Sequence, residues 1–427
     1  MKKSILVVAV SAALAAGSAQ AAIEMYGKLH MSLDQLDNGN IYDGNTNASA
    51  ANAGTKAKSL YVSSNQTTFG FKASEDLEGG LKAIAVLDFT VEADNPDSKA
   101  PLSEREAYVG LGGGFGTMRI GKLESPTKLL GRRADFFGDQ VGDSRNLTAR
   151  ASGLGLVTNA PQHNTTGYPT YTYNTTQRLS WEVRGTNALG YTSPTMGGFT
   201  FAFLYNPDEG RKDSRIIDMT LTLAGPAGPG KMAAGLGWAS HGKAWNNDEV
   251  ASTNLRFAGS YEIKSVKMGL FYQKASNMNT VPATPLVPAV TGGAAAIPAV
   301  IAASLDRTTW GLGGSYKIGA GAVKAQYYKA GESQGAATDP ADGATMIALG
   351  YDHNLSKTTR VYVAYAMTKN DQGTAKNATT GIPTAGGTYS ASAAGHSSNN
   401  TVAGQNVNTI DRGSDPKALS VGMVFSF

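Results

Sequence analysis

Four charged residues in one short stretch are the first side chains whose types and spacing could act on a solute. Arg132 and Arg133 are followed by Asp135 and Asp139 in the sequence RRADFFGD. No alternating run of apolar and polar residues occurs between residues 125 and 177. A segment of this length without secondary structure is uncommon in a compact domain unless it is functional. We therefore predict that residues 125–177 form the working loop of the protein.

Residues that could support covalent catalysis or bind a metal are sparse. The chain has no cysteine, which excludes a disulfide scaffold and a thiolate metal site. The five histidines show no paired spacing for a metal ion. Ser32 lies near His30 on the same predicted strand face, but no third orienting group accompanies them. We therefore expect no enzyme, no metal site and no cofactor.

Alternating strands are the elements that must position the loop. Residues 23–34 alternate between apolar side chains and polar or ionisable ones, and so do residues 417–427. A soluble sandwich would turn the apolar face towards a second sheet, whereas a membrane barrel turns it towards lipid. The final apolar row favours a barrel, because a soluble protein would rarely end on it. That row comprises Leu419, Val421, Met423, Phe425 and Phe427.

The first 21 residues have the pattern of a secretory signal peptide. Lys2 and Lys3 precede an apolar run at 5–16, and Ala19 and Ala21 give the small-x-small pattern of a cleavage site. The apolar run is shorter than the ~20 residues that a membrane-spanning helix needs. We predict that residues 1–21 are removed and that 22–427 form one domain.

Net charge gives little indication of a nucleic-acid partner. Removal of the two N-terminal lysines leaves 35 of the 37 basic residues against 33 acidic ones. A net charge so close to neutral does not suggest a nucleic-acid partner. We therefore expect no nucleic-acid partner.

The alternation predicts sixteen strands, an even number that lets a barrel close with both termini on one side. Short and long connections alternate between them, as in outer-membrane barrels. The predicted ranges are 23–34, 59–76, 80–92, 102–112, 116–124, 178–192, 198–206, 214–224, 230–240, 251–263, 265–275, 305–318, 320–331, 343–354, 358–369 and 416–427.

Four motifs in this order and spacing resemble the Gram-negative general porins. They are MYGK at 25–28, FGFKASEDLEGGLKA at 69–83, REAYVGLGGGFGTMRIGK at 105–122 and VGMVFSF at 421–427. The resemblance implies an all-β fold, a transmembrane antiparallel 16-stranded β-barrel whose third external loop folds inward. It also implies a homotrimer in the outer membrane of a Gram-negative bacterium, surrounded by outer-membrane lipids.

The resemblance also implies a pore constriction in which acidic loop residues face basic residues on the wall. The matching loop acids are Asp135 and Asp139, and the matching wall bases are Lys28 and Arg105, with Arg178 as a third. It further implies that a terminal aromatic, here Phe427, is an assembly signal.

Strand parity supports part of this assignment. Lys28 has the parity of the polar residues Tyr26 and His30, and Arg119 lies on the polar parity of its own strand. Arg105 instead has the parity of the apolar residues that follow it, so either this strand is inverted or a bulge precedes Tyr108.

Two departures from the family leave the ion preference open. Thr68 stands at a position that is often basic in enteric members. Arg132 and Arg133 add positive charge to the loop itself.

We interpret the protein as an outer-membrane pore for passive diffusion of small hydrophilic solutes and ions. One alternative keeps the barrel but selects a substrate such as a sugar, a carboxylate or phosphate. A different class would be a structural or adhesive outer-membrane barrel. Tyrosines and tryptophans are expected to form girdles at the two membrane interfaces, although a sugar-stacking track is an alternative. They are Tyr26, Trp181, Tyr191, Trp238, Tyr261, Trp310, Tyr351 and Tyr365.

Overall fold

Antiparallel strands follow one another around a closed sheet in the order of the chain. The structure, a computed structural model, describes residues 22–37, 58–94, 102–149, 162–163, 169–170, 181–209, 212–243, 250–278, 305–334, 343–371, 401–402, 405–406 and 415–427. Within these residues sixteen strands make the barrel, the second of them in two segments. They are β1 (Ala22–Asp37), β2 (Lys58–Ser64 and Thr68–Asp76), β3 (Lys82–Val91), β4 (Leu102–Gly113), β5 (Gly116–Glu124), β6 (Arg184–Thr192), β7 (Phe199–Asn206), β8 (Ile216–Ala227), β9 (Gly230–His241), β10 (Ser252–Ile263), β11 (Val266–Met278), β12 (Leu305–Ile318), β13 (Gly321–Ala330), β14 (Ala344–Asn354), β15 (Thr359–Asn370) and β16 (Lys417–Ser426).

The last strand closes the sheet by pairing with the first. The register of β1 with β16 runs from Lys28↔Ser426 to Asp37↔Lys417. On its other side β16 pairs with β15, starting at Thr359↔Phe425. A closed sheet leaves no edge strand unpaired. The predicted all-β barrel of sixteen antiparallel strands is confirmed.

Tight turns mark one end of the barrel. Two-residue connections join β4 to β5, β8 to β9, β10 to β11 and β12 to β13. Gly228, Lys264 and Gly319 in these turns have φ values of 56°, 51° and 55°, the left-handed backbone that two-residue hairpins require. The alternate connections lie at the opposite end and are mostly longer, as predicted. We call the first end the short-turn end.

The two faces of the sheet differ sharply in exposure. Along β16 the odd positions are exposed, including Val421 at 56% and Phe425 at 41%, while Ala418 and Ser420 are 1% exposed. Leu29 and Leu33 continue the exposed row on β1. The exposed residues form the apolar outer face that suits lipid contact, and the alternate residues form the inner face.

Helical structure is limited, in the described part of the chain, to short elements. They are a 3-10 turn at Glu78–Gly80, helix α1 at Pro126–Gly131, a 3-10 turn at Arg132–Ala134 and helix α2 at Arg145–Thr148. No helix among these residues is long and apolar enough to cross a membrane. Two further pairs of two-residue strands are Gln162–His163 with Pro169–Thr170, and Thr401–Val402 with Gln405–Asn406.

The prediction of one continuous strand at 59–76 is corrected by a break at residues 65–67. Gln66 has a φ of 57°, which an extended strand cannot accommodate. Asn65 donates its backbone N–H to the carbonyl of His30 at 2.8 Å, and its side chain donates to the Ser32 hydroxyl at 2.6 Å. The polar run SSNQTT supplies side chains whose hydrogen bonds stabilise this break. Apolar side chains could not form such hydrogen bonds.

The parity conflict at Arg105 is resolved by a bulge in β4. Asp88 on β3 pairs with Glu106, while the next residue of β3 pairs with Glu104, so Arg105 is the extra residue. The bulge returns Arg105 to the inner face without inverting the strand, because Val109 remains 62% exposed on the outer face. A further correction concerns β6, which begins at 184, whereas the alternation predicted a start at 178.

Candidate functional site

Residues 125–149, which we call the loop segment, follow β5 and contact the inner face of the barrel. Pro126 occupies the first helical position of α1, where its missing N–H costs nothing. The carbonyls of Ser144 and Arg145 accept the N–H groups of Thr148 and Ala149, so that the segment ends in a second helical turn. Polar anchors, an apolar contact and a cluster of charges hold it in place.

A buried arginine anchors α1. Arg256 of β10, 0% exposed, donates from Nη1 to the carbonyl of Thr127 at 2.9 Å and to the Glu182 carboxylate at 2.9 Å. Its Nε and Nη2 both donate to Gln273 Oε1 of β11, at 3.0 and 2.6 Å. Asp218 of β8 accepts the backbone N–H of Thr127 at 2.9 Å. Three strands thus hold one helical turn through charge-assisted hydrogen bonds.

Side chains of β13 anchor the middle of the segment. Gln326 accepts the backbone N–H of Phe136 at 3.0 Å and donates to the carbonyl of Gly142 at 2.6 Å. Lys324 donates to Gln140 Oε1 at 2.6 Å and lies 4.5 Å from the ring centroid of Phe137. One face of β13 therefore fixes backbone positions six residues apart in the segment.

Small residues on β14 and β15 receive the apolar part of the segment. Phe137, 0% exposed, and Val141 pack in one cluster with Ala348 and Ala366. Gly142 has a φ of 83°, and a Cβ at this position would lie 2.5 Å from the Cβ of Ala348. Larger residues on either side would keep the segment away from the wall.

Three basic side chains surround Asp139. Lys28 Nζ of β1 lies 2.6 Å from Asp139 Oδ2, and Arg145 Nη2 lies 2.7 Å from Oδ1. Arg132 Nη2 is 3.7 Å from Oδ1. Burial alone would raise the pKa of Asp139, but the nearby positive charges outweigh it and hold this pKa well below its usual value. Asp139 is therefore ionised at neutral pH.

Asp135 is bonded within the segment and makes no ion pair in the described contacts. Its carboxylate accepts the N–H groups of Phe137 and Ser144 at 2.9 and 3.1 Å, and the Ser144 hydroxyl at 2.9 Å. Burial, with a smaller contribution from the Asp143 charge, raises the pKa of Asp135 to about 7. The two candidate loop acids thus differ in charge state near neutral pH.

The candidate wall bases are not all close to the loop acids. Lys28 contacts Asp139, whereas Arg105 Nε donates to Asp88 Oδ2 at 2.8 Å and Nη1 donates to Gln66 Oε1. Arg119 Nη2 donates to the Thr192 hydroxyl at 2.8 Å near the short-turn end. Arg178 lies outside the described residues. Of the predicted acid–base pairs, the structure brings Lys28 and Asp139 into contact.

His30 and Ser32, the pair considered for catalysis, each hydrogen-bond to another side chain. His30 Nε2 lies 2.9 Å from the hydroxyl of Tyr362, and the Ser32 hydroxyl accepts the Asn65 amide, so the two side chains are engaged elsewhere. Among the described residues no group of three His, Cys, Asp or Glu side chains could hold a metal ion.

The expectation that Trp181 belongs to an aromatic girdle is wrong. Trp181 is 1% exposed and contacts the His241 ring in a tilted arrangement at a centroid distance of 4.7 Å. It is therefore buried beside the loop segment rather than placed at a membrane interface.

The anchors of the loop segment were missed by the sequence reasoning. Each lies at an ordinary inner-face position of its strand, and its partner is more than 80 residues away in the chain, as with Asp218 and Thr127. One usable signal was the row of small residues on β14 and β15. A lumen lined only by water would not need Ala348, Gly350, Ala364 and Ala366 at successive inner positions.

A model of the Gram-negative porin family matches residues 7–373 of this chain. The chain belongs to the Gram-negative porin family. The porin is 26% identical to Outer membrane porin protein 32 of Delftia acidovorans over 378 residues, 87% of this chain and 90% of that protein. It is 31% identical to Major outer membrane protein P.IB of Neisseria meningitidis serogroup B over 148 residues, 32% of this chain and 40% of the relative.

Solved structures share the fold of this porin at low sequence identity. The anion-selective porin from Comamonas acidovorans superposes with a TM-score of 0.62 at 20% identity, covering 96% of this chain and 100% of that chain. OmpT of Vibrio cholerae, solved in its trimer form, gives 0.54 at 16% identity, covering 95% and 99% of the two chains.

Family membership and the closed barrel together establish the general role of the porin. It is a transmembrane β-barrel of the Gram-negative outer membrane and a channel for diffusion of small solutes. The predicted sixteen-stranded barrel, outer-membrane location and channel class are confirmed.

Proposed function

We propose that the loop segment lies within the lumen, narrows the pore and gives it a preference for small anions. The side chains that hold the segment share the inner face of the barrel. In a closed barrel that face encloses the lumen. The residues are Lys28, Asp218, Arg256, Gln273, Lys324 and Gln326.

The observation that carries the anion preference is the surplus of positive charge around Asp139. Lys28, Arg132 and Arg145 all lie within 4 Å of Asp139, and Arg145 also pairs with Asp143, so that three positive charges stand against two carboxylates. Arg133 adds a further half-buried positive charge to the same segment. Passing anions are attracted and passing cations repelled at such a point. The structural neighbour from Comamonas acidovorans is an anion-selective porin, which agrees with this proposal.

Reversal potential in a salt gradient tests the proposal. Planar bilayers holding the wild type should show anion preference, and the double variant Asp135→Asn, Asp139→Asn should shift several-fold further towards anions. An ion about 5 Å from a unit charge gains or loses roughly 0.8 kcal/mol in water and more in a narrow pore. The shift should shrink at 1 M salt, where the Debye length is about 3 Å.

A matched control separates local from global charge. Glu262→Gln removes one negative charge from an exposed ion pair with Lys317 at the short-turn end. It should leave the reversal potential near the wild-type value. Equal shifts in the control and in the double variant would remove the proposed constriction.

A substrate-selective channel is the alternative on the same barrel. Passive diffusion predicts conductance that rises in proportion to solute concentration. Saturation of conductance by one solute would establish the alternative, and a barrel without conductance would point to a structural or adhesive role.

A homotrimer is the proposed assembly, supported by the trimeric form of the Vibrio OmpT neighbour. Mass measurement of the conducting, detergent-solubilised protein should give three chains. A mass of one chain would reject this assembly.

Export and assembly signals complete the proposal. Residues 1–21 act as a signal peptide, which N-terminal sequencing of the mature protein would test by finding Ala22 first.

Phe427 acts in assembly, and its backbone extends the β1–β16 pairing through hydrogen bonds with Gly27 of 3.0 and 3.1 Å. Replacing Phe425 and Phe427 by Asp should reduce the amount of membrane-inserted oligomer, since charge on the lipid face is costly. Normal oligomer levels would contradict this role.

A further inference from the structure

We propose that a basic cavity at the short-turn end of the barrel binds a phosphate group. The cavity has a volume of about 340 Å³ and lies where β1, β15, β16 and the turn between β14 and β15 meet the loop segment. The proposal rests on the proposed function only in that anions enter the pore.

Three cations line the cavity. Lys28 Nζ uses one of its three donors on Asp139, and Arg360 Nη1 lies 3.3 Å from Asp352 Oδ2. Lys357 stands exposed in the turn before β15. Ammonium and guanidinium groups converging on one space form the donor set that suits a multiply charged oxyanion.

The acids at the cavity are largely neutralised by cations on their other sides. Asp139 also contacts Arg145, and Asp352 is held by Lys324 at 2.9 Å. The three lining cations therefore exceed the negative charge that remains at the cavity.

Neutral donors complete the site. The Ser356 hydroxyl oxygen accepts the N–H groups of Thr358 and Thr359 at 3.1 and 3.0 Å, which fixes the turn with its hydroxyls at the cavity. Hydroxyl groups can donate to phosphate oxygens that the cations leave unfilled. A monovalent halide would gain little from these donors, because it has one charge and no oxygens to distribute among them.

The cavity belongs to the inner face, so a dissolved phosphate fits it better than a lipid head group. Lys28 and Arg360 alternate with the exposed apolar residues Leu29 and Val363. Phosphate reaching the site therefore comes through the aqueous pore rather than from the surrounding membrane.

Titration of single-channel chloride current with inorganic phosphate tests the site. At constant ionic strength and pH 8, phosphate should lower the wild-type current along a saturating curve. In the double variant Lys357→Gln, Arg360→Gln the half-saturating concentration should rise about tenfold, because a dianion loses two neighbouring charges. Lys264→Gln changes an exposed lysine in another short turn, and this matched control should titrate like the wild type.

Two measurements on the same bilayers distinguish this site from the general anion preference. Anion preference in the reversal potential without a saturating phosphate effect would overturn the cavity site and leave the proposed function standing. Cation preference with a saturating effect that weakens in the double variant would support the site and overturn the anion-selective pore. Equal titration of the double variant and the wild type would also overturn the site.

Discussion

Two walls of the barrel's inner face are built from different residues. Across β9, β10, β14 and β15, which we call the seat wall, the inner positions include Gly237, Ala258, Ala348 and Ala366, and the loop segment lies against them. Across β3, β4 and β5, the charged wall, inner positions carry ionisable groups that contact neighbouring strands, as Asp88 contacts Arg105.

The difference shows how one closed sheet serves two purposes. A wall that packs against a chain segment needs small side chains that allow close contact. It also needs a few buried polar groups that form hydrogen bonds with the backbone of that segment. A wall that faces water needs no such fit, and its charges can pair with one another. Changes on the seat wall should therefore affect stability, and changes at the charged positions should affect ion flow.

Arg256→Met should have the largest effect. The arginine is fully buried and makes four hydrogen bonds to three partners, and removing one member of such a network typically costs 3–5 kcal/mol. Chemical denaturation of the folded protein in detergent measures the free energy of unfolding. Arg133→Met is the control, and a similar loss in both variants would contradict the role of Arg256 as an anchor.

Gly142→Val should displace the loop segment from the seat wall. Its side chain would combine a left-handed backbone with a clash against Ala348, at a cost of roughly 2–4 kcal/mol. Single-channel conductance should increase because the segment no longer narrows the lumen. Gly225→Val is the control, since a Cβ there meets nothing within 4 Å. Unchanged conductance in the Gly142 variant would show that the contact between Gly142 and Ala348 does not determine the size of the pore.

Lys28→Gln and Arg105→Gln compare a base that contacts the loop segment with one that contacts the charged wall. Both should shift the reversal potential towards cations. The Lys28 change should be several-fold, because Lys28 shares Asp139 with Arg132 and Arg145 and so belongs to a cluster with surplus positive charge. The Arg105 change should be less than about twofold, because Asp88 balances its charge. Equal shifts would mean that contact with the loop segment does not determine how strongly a wall base affects ion selectivity.

The pH dependence of selectivity should give the smallest effect. Because the pKa of Asp135 is raised to about 7, its carboxyl is neutral in the folded protein below that pH and gains a negative charge above it. Anion preference should therefore fall modestly between pH 6 and pH 8, and Asp135→Asn should abolish the change. The same shift means that the contribution of this group to stability is full below its ordinary pKa and is lost as the pH rises through about 7.

Strand periodicity was enough to predict most of the fold. Alternation along β1 and β16 places apolar and polar residues on opposite faces, whichever strands lie beside them. The predicted strand boundaries at 116–124 and 305–318 agree with the structure. The parity at Arg105 predicted either a bulge or an inverted strand and could not decide between them. The break at Gln66 was not predicted, since it depends on contacts with other strands, such as the one from Arg105.

Only part of the candidate site could be predicted from the sequence. The resemblance to the porins implied that Lys28 faces the loop acids, and strand parity supported the place of Lys28 on the polar face. The anchoring role of Arg256 could not be predicted, because its partners Thr127, Glu182 and Gln273 are brought together only by closure of the barrel. Tertiary contacts of this kind leave no periodic signal.

The pairing of β1 with β16 has a consequence for how the protein is made. Ten residues of the first strand, from Lys28 to Asp37, pair on one side with the ten residues of the last strand, from Lys417 to Ser426. Contacts between the two extremes of a chain are slow to form, and the strand edges stay open until they do. The barrel therefore cannot finish folding while it is still being synthesised or exported, and its unpaired edges must be shielded from other copies until the C-terminal strand has arrived at the membrane.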